Sequence, residues 1–205
     1  MKPLKIGVLG FQGDIEEHVA ASRAALEAEG LKGDVVLVKS PEDAESVDAI
    51  VIPGGESTTM GSLASFNGTL DVIRKRASSG LPALGTCAGL ILLSKRSYDR
   101  ALGERRQPLL SCLDVLVERN TFGRQGESFE AEAEGVAHSG GKLNVVFIRA
   151  PAIKSVGPDV QVLEKMGGEP IAVRQGNVVG TTYHPELSGD LALHRWLVRA
   201  ASGQG

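Results

Sequence analysis

The pentapeptide Gly85-Thr86-Cys87-Ala88-Gly89 sets one of the chain's two cysteines between glycines, with apolar runs at 81–84 and 90–93 on either side. This is the pattern of a strand, a sharp turn and a helix, the cysteine counterpart of the Gly-x-Ser-x-Gly nucleophile elbow. Such a turn is strained and tightly packed, so a β-carbon at either glycine would strike the neighbouring strand or helix. The turn lifts the sulfur out of the sheet and sets it at a helix N-terminus, whose partial positive charge suits an anionic nucleophile. A lone cysteine is more often a small buried hydrophobe, so a partner base is required. Tyr183-His184-Pro185-Glu186-Leu187 supplies one. Read as an extended segment, its residues two apart point to the same side. Glu186 can then hold the far ring nitrogen of His184, and Pro185 restricts the backbone between them. His18 and His194 fall on helices and His138 in a Gly/Ser-rich turn, none with a carboxylate in a comparable pairing. Cys87, His184 and Glu186 therefore read as nucleophile, base and orienter. No His/Cys/Asp cluster has the spacing of metal ligands, so no metal and no cofactor is expected.

The elements that must position these groups follow from hydrophobic period and breakers. Residues 4–9 form a strand that enters a turn at Gly10-Phe11-Gln12-Gly13. Asp14 with Glu17 three residues on reads as a capping box opening a helix to about residue 29, with Ile15, Val19, Ala24 and Leu26 as its buried candidates. Strands follow at 34–38 and 48–52. After the latter, Pro53-Gly54-Gly55-Glu56-Ser57 can turn back and expose backbone N–H groups. A helix then runs to residue 78, and the elbow strand comes fourth. Strands alternating with crossovers predict an α/β, doubly wound, mostly parallel sheet with helices on both faces. Loops at the carboxyl ends of its strands form the ligand crevice, so Gly54-Gly55 and Cys87 can face each other. Residues 95–108 are polar and read as an irregular surface excursion, with Arg100, Arg105 and Arg106 solvated or open to docking. A strand at 113–118, an edge strand at 128–133 and a strand at 143–149 precede an antiparallel extension at 160–166, 171–174 and 178–183. The last helix spans about 190–201, with Leu191, Leu197, Val198 and Ala201 toward the core. No repeat or linker is evident, so residues 1–205 read as a single domain.

Composition narrows the functional classes. The chain has 205 residues, 42% hydrophobic and 23% charged, with a formal net charge of −3, which gives no electrostatic case for nucleic acid. No apolar run approaches the roughly 18 to 20 residues of a membrane span. The start of the chain carries no signal-peptide pattern, so a cytoplasmic location with Cys87 and Cys112 as reduced thiols is expected.

Taken together, Gly-Thr-Cys-Ala-Gly, Pro-Gly-Gly-Glu-Ser and the late His-Pro-Glu resemble the triad (class I) glutamine amidotransferases, whose sheet is flavodoxin-like. Further stretches resemble one branch of them, the glutaminase subunits of pyridoxal 5′-phosphate synthase. They are residues 7–14 with Glu17-His18, Glu56-Ser57-Thr58-Thr59-Met60, residues 118–125 with Ser128-Phe129-Glu130, and Phe147-Ile148-Arg149-Ala150-Pro151. The match runs from about residue 5 to about residue 187. The resemblance implies hydrolysis of L-glutamine through a thioester on Cys87, with an oxyanion hole from the N–H groups of Gly55 and Ala88. It implies glutamine contacts at Gly55, Glu56, Ser57, Arg119, Ile148 and Arg149. An arginine suits the substrate carboxylate, and which of the two meets it stays open. Ammonia would pass to a separate (β/α)₈-barrel synthase subunit. Rival readings are a glutaminase serving another acceptor, a cysteine peptidase on a similar sheet, and a binding module with an inert cysteine.

Overall fold

The computed structural model describes residues 2–99, 103–104, 107–119, 128–135 and 142–204. The first half is β1 (Leu4–Leu9), α1 (Ile15–Ala28), β2 (Gly33–Val38), α2 (Pro41–Ser46), β3 (Ala49–Ile52), α3 (Ser57–Phe66), α4 (Thr69–Ser78), β4 (Ala83–Thr86) and α5 (Ala88–Leu93). Then come β5 (Ser94–Asp99), β6 (Gly103–Glu104), β7 (Leu113–Arg119), β8 (Ser128–Gly135), β9 (Lys142–Ile148), β10 (Ala152–Val156), β11 (Gln161–Met166), β12 (Glu169–Gln175) and β13 (Val178–Thr181). Two helices close the chain, α6 (Pro185–Ser188) and α7 (Ala192–Ala201).

The larger sheet runs β2-β1-β3-β4-β13-β12-β11-β8-β9. From β2 to β13 every pairing is parallel. Counted among themselves, these strands take the flavodoxin-like order 2-1-3-4-5. From β13 outward the sheet continues antiparallel through β12, β11, β8 and β9. The α/β reading with its C-terminal antiparallel extension therefore holds. Strand β3 displays the reason: Ala49 and Val51 join the cluster under α1 and α7, while Ile50 and Ile52 join the one under α3, α4 and α5. A strand buried on both faces must sit mid-sheet with helices above and below.

Several expectations need correction. The polar stretch 95–108 is not an irregular excursion throughout. Residues 94–99 form β5 of a second sheet, ordered β10-β7-β5-β6, which packs Leu113, Val115, Val117 and Ile153 onto the cluster under α3, α4 and α5. Strand β8 is not at an edge; β9 lies outside it. The helix expected after residue 56 is two, broken at Gly68. On α1 the core face is His18, Ala21, Ser22, Ala25 and Leu26, while Ile15, Val19 and Ala24 are half-buried. On α7 it is Leu193, His194, Trp196, Leu197 and Val198, with Leu191 and Ala201 half-buried. Arg100, Arg105, Arg106, His138 and residues 120–125 lie outside the described residues. Among those described, no helix is long and apolar enough to cross a membrane.

Candidate active site

Strands β4 and β13 are parallel neighbours, with Thr86 opposite Thr181. Both end there, so the segments leaving them, Cys87 from one and His184 from the other, emerge side by side at the carboxyl edge. The Cys87 N–H donates to Thr181 O at 2.8 Å, tying the elbow to that strand. Cys87 has φ 49, a left-handed conformation rare outside glycine. The flanking glycines are there for space: a Cβ on Gly89 would lie 2.0 Å from Ile52 O, and one on Gly85 would lie 2.7 Å from the Gly89 carbonyl carbon. The sulfur is nearly buried, and its thiol donates to Ile148 O at 3.7 Å.

His184 is anchored by its own N–H to Val146 O of β9, at 2.9 Å. Its Nδ1 lies 2.7 Å from Glu186 Oε1, yet the expected reason for that contact does not hold. The segment is not extended: His184 is the N-cap of α6, and Glu186 sits in the first helical turn. A second carboxylate reaches the same atom, Asp14 Oδ2, at 2.8 Å. Asp14 makes no side-chain cap bond to α1, so the expected capping box is absent there. Burial opposes charge on the His184 ring, but hydrogen bonding to Asp14, Cys87 and Glu186 outweighs it and pushes the imidazole up to about 12. Its Nε2 has no well-formed hydrogen bond, although Cys87 is close enough to act on the ring's charge. Such contacts are often loose before substrate arrives. The donor atoms of Asp14, His184 and Glu186 lie within 4.8 Å of one another, a cation-ligand grouping that only folding assembles. An Nδ1 that carries its proton toward two carboxylates has no lone pair left for a metal.

A cavity of about 150 Å³ opens over the sulfur. Cys87, Ala88 and His184 line it, as do the expected substrate contacts Gly55, Glu56, Ser57, Arg119, Ile148 and Arg149. Glu186 lies behind the imidazole, its side chain fully buried. Ala88 is the first residue of α5, where a helical N–H has no partner within its own helix. The Glu56 side chain caps α3, accepting from the N–H groups of Thr58 at 3.2 Å and Thr59 at 2.7 Å. Burial would raise its pKa, but the bonds from Thr59 and Thr58 hold it below the ordinary value. Its Oε1 also accepts from Arg119 Nη2 at 3.1 Å. Arg119 is buried along the wall, whereas Arg149 is exposed and takes a left-handed φ of 46.

Residues that sequence reasoning passed over complete the site. Gln107, from the polar stretch, accepts from Arg119 Nη1 at 2.8 Å. His18, set aside as a helical histidine, is fully buried, with its Nε2 3.0 Å from Thr86 Oγ1 and 3.4 Å from Glu186 Oε2. His194 follows, its Nε2 3.0 Å from His18 Nδ1. The adjacency of Glu17-His18 to the loop after β1 was the one available signal. Both cysteines are free, and burial pushes the Cys112 thiol up to about 12.

The sequence profile of the SNO glutamine amidotransferase family matches residues 8–202. The chain is 46% identical over 194 residues to a protein of Nitrosopumilus maritimus named pyridoxal 5′-phosphate synthase subunit PdxT, covering 95% of each. It is likewise 46% identical over 198 residues to the protein of that name from Sulfurisphaera tokodaii, covering 97% of this chain and 99% of the relative. A crystal structure described as a glutamine amidotransferase superposes with a TM-score of 0.83 at 43% identity, over 96% of this chain and 98% of that one.

Proposed function

The chain belongs to the SNO glutamine amidotransferase family, and from that premise we propose that it is the glutaminase subunit of a pyridoxal 5′-phosphate synthase, with Cys87, His184 and Glu186 as its triad. The observation that carries the reading is the meeting of sulfur and imidazole, from adjacent parallel strands, at one cavity lined by two arginines. The name shared by the near-full-length relatives supports the synthase assignment.

Cys87 gives its thiol proton to His184 Nε2, and the thiolate attacks the side-chain amide carbon of L-glutamine. Charge moves to the amide oxygen, where the N–H groups of Gly55 and Ala88 receive it, each worth about 3 kcal/mol of barrier. His184 holds its Nδ1 proton toward the carboxylates, so its Nε2 proton is the one available to the departing nitrogen. Ammonia leaves, and a γ-glutamyl thioester remains. Water then gives its proton to His184 Nε2 as it attacks the thioester, and the C–S bond breaks to release L-glutamate. Arg119 and Arg149 suit the substrate carboxylate, and Gly55, Glu56, Ser57 and Ile148 complete its cradle. No step needs a metal or cofactor.

Ammonia in neutral water is mostly ammonium, which has no lone pair to attack with. A glutaminase of this kind is useful when its product passes directly to an acceptor site. We assign that site to a (β/α)₈-barrel synthase subunit in the cytoplasm, with no part for nucleic acid or membrane. Glutamate release measured with and without that synthase, on the native chain and on Cys87→Ala, tests the reading. Native turnover that the synthase leaves unchanged would remove the partner, and turnover surviving in Cys87→Ala would remove the nucleophile.

A further inference from the structure

His184 Nδ1 faces two carboxylates, and the reaction needs one. Glu186 Oε1 stands at 2.7 Å and Asp14 Oδ2 at 2.8 Å. A single N–H cannot point straight at both. From this geometry we propose that Asp14 is a second positioning residue for the imidazole, sharing Nδ1 with Glu186 and able to orient the ring when Glu186 cannot. The proposal rests on the assignment of Cys87 and His184 as nucleophile and base.

Three observations argue that the contact is built rather than incidental. Asp14 occupies the N-cap of α1, where an aspartate ordinarily accepts from the helix's own N–H groups. Here it makes no such bond and is turned to the histidine instead. The loop after β3 leaves room for that pairing. A Cβ on Gly54 would come within 2.4 Å of His184 Cε1 and 2.6 Å of Asp14 Oδ2, so the absence of a side chain at 54 lets both groups close up. Asp14 also lines the cavity, with 22% of its side chain exposed, whereas Glu186 has none.

The two carboxylates are not equivalent. Burial raises the Glu186 carboxyl to about 7, although its bond to His184 pulls the other way. Burial would raise Asp14 too, but hydrogen bonding with His184 and Glu186 holds it down at about 2. The titratable groups acting on Asp14 are His184, Glu186 and His18; those on His184 are Asp14, Cys87 and Glu186. When one proton is shared among the acids, Glu186 carries it and Asp14 keeps its charge. Asp14 is then the anion that holds the imidazolium, and Glu186, backed by His18, fixes the direction of the ring.

The test compares Asp14→Asn, Glu186→Gln and the double variant with the native chain, each with its synthase subunit, by kcat, KM for glutamine, pH profile and melting temperature. Asp14→Asn should lower kcat roughly tenfold and leave KM unchanged, with only a small drop in melting temperature, since the pairing with His184 is weakened but no cap bond is lost. Without the Asp14 charge the His184 proton is held less tightly, so the alkaline limb of kcat should move down by about one pH unit or more. Glu186→Gln should keep activity that the double variant loses, the double falling by about 10³-fold. An unchanged kcat and pH profile in Asp14→Asn would overturn the proposal. So would a Glu186→Gln as inactive as the double, or a rise confined to KM, which would make Asp14 a ligand of the substrate ammonium. If the native complex released no glutamate at all, the active-site assignment would fail first and this inference with it.

Discussion

Gln107 Oε1 accepts a hydrogen bond from Arg119 Nη1 at 2.8 Å, joining the polar stretch before β7 to the cationic wall of the cavity. The same oxygen takes bonds from Thr58 Oγ1 at 3.1 Å and Ser57 Oγ at 3.4 Å, at the start of α3. With Nη2 on Glu56, the guanidinium is held from two sides. Removing Gln107 as Gln107→Ala should let Arg119 swing and weaken glutamine binding. A bond to a charged group is worth about 1.5–3 kcal/mol, so KM should rise roughly tenfold or more, with kcat within about twofold. Steady-state glutaminase kinetics check this. A fall in kcat at constant KM would mean that Arg119 serves the chemical step instead.

The two cysteines should separate cleanly under a thiol-reactive glutamine analogue. Cys87 lies on the cavity, while Cys112 is half-buried and donates to Leu93 O at 3.8 Å. Burial pushes the Cys112 thiol up to about 12, leaving almost no thiolate at neutral pH. One equivalent of label should appear by mass spectrometry, on the peptide holding Cys87, and Cys112→Ala should take up as much as the native chain. Label on Cys112 in proportion would mark Cys87 as inert.

What the sequence disclosed was local and what it hid was tertiary. The elbow was readable because Gly85 and Gly89 answer to collisions inside one strand–turn–helix unit and with the next strand. Strand β3 was readable because burial on both faces demands an unbroken apolar run. Strand β5 escaped because its inward positions are Ser94, Ser97 and Asp99, polar groups that leave no apolar alternation to read. His18 escaped for a related reason. The face His18-Ala21-Ser22-Ala25 has helical period but little hydrophobicity, and the larger Ile15 and Val19 drew attention away from it. Asp14 carried a true N-cap position and a misleading capping-box pattern, since its partner lies 170 residues along the chain. Ser40, with the same kind of pattern, does form its box with Asp43. The His184–Glu186 contact was right in outcome and wrong in backbone, as the segment turns helical at Pro185.

Gly54 gives a test of how tightly the imidazole is held. In Gly54→Ala the new methyl group would start 2.4 Å from His184 Cε1, so the ring must retreat. A misplacement near 1 Å can cost about 10²-fold in rate. The expected outcome is a loss of roughly that size in kcat/KM, with the circular dichroism spectrum retained because the change is confined to a loop. Native kinetics in this variant would show that the ring position read from the structure is not the working one.

The buried histidine pair predicts a particular pH dependence of stability. Burial lowers His194 from 6.5 to about 4, and His18, lowered by burial and by His194, falls well below its ordinary value. Both are therefore neutral in the folded chain when an unfolded chain would begin to protonate them. At these two sites the folded state then binds fewer protons than the unfolded state. The stability that His194 contributes is fully present above the unfolded value near 6.5 and drains away as pH falls from there toward the folded value near 4. For His194 alone, at 1.36 kcal/mol per unit, the loss across that window is about 3 kcal/mol. Glu186, raised to about 7, takes up its proton across the same range and opposes the pair, so the pair's share is read as the difference between the native and His194→Gln urea midpoints at pH 7.5, about 5.5 and about 4.5. His194→Gln removes one titrating site and keeps a polar partner for His18 Nδ1, so its midpoint should start below the native one and the gap should narrow as pH falls. A gap that stays constant across this range would mean that the pair takes up protons inside the fold as readily as in the open chain.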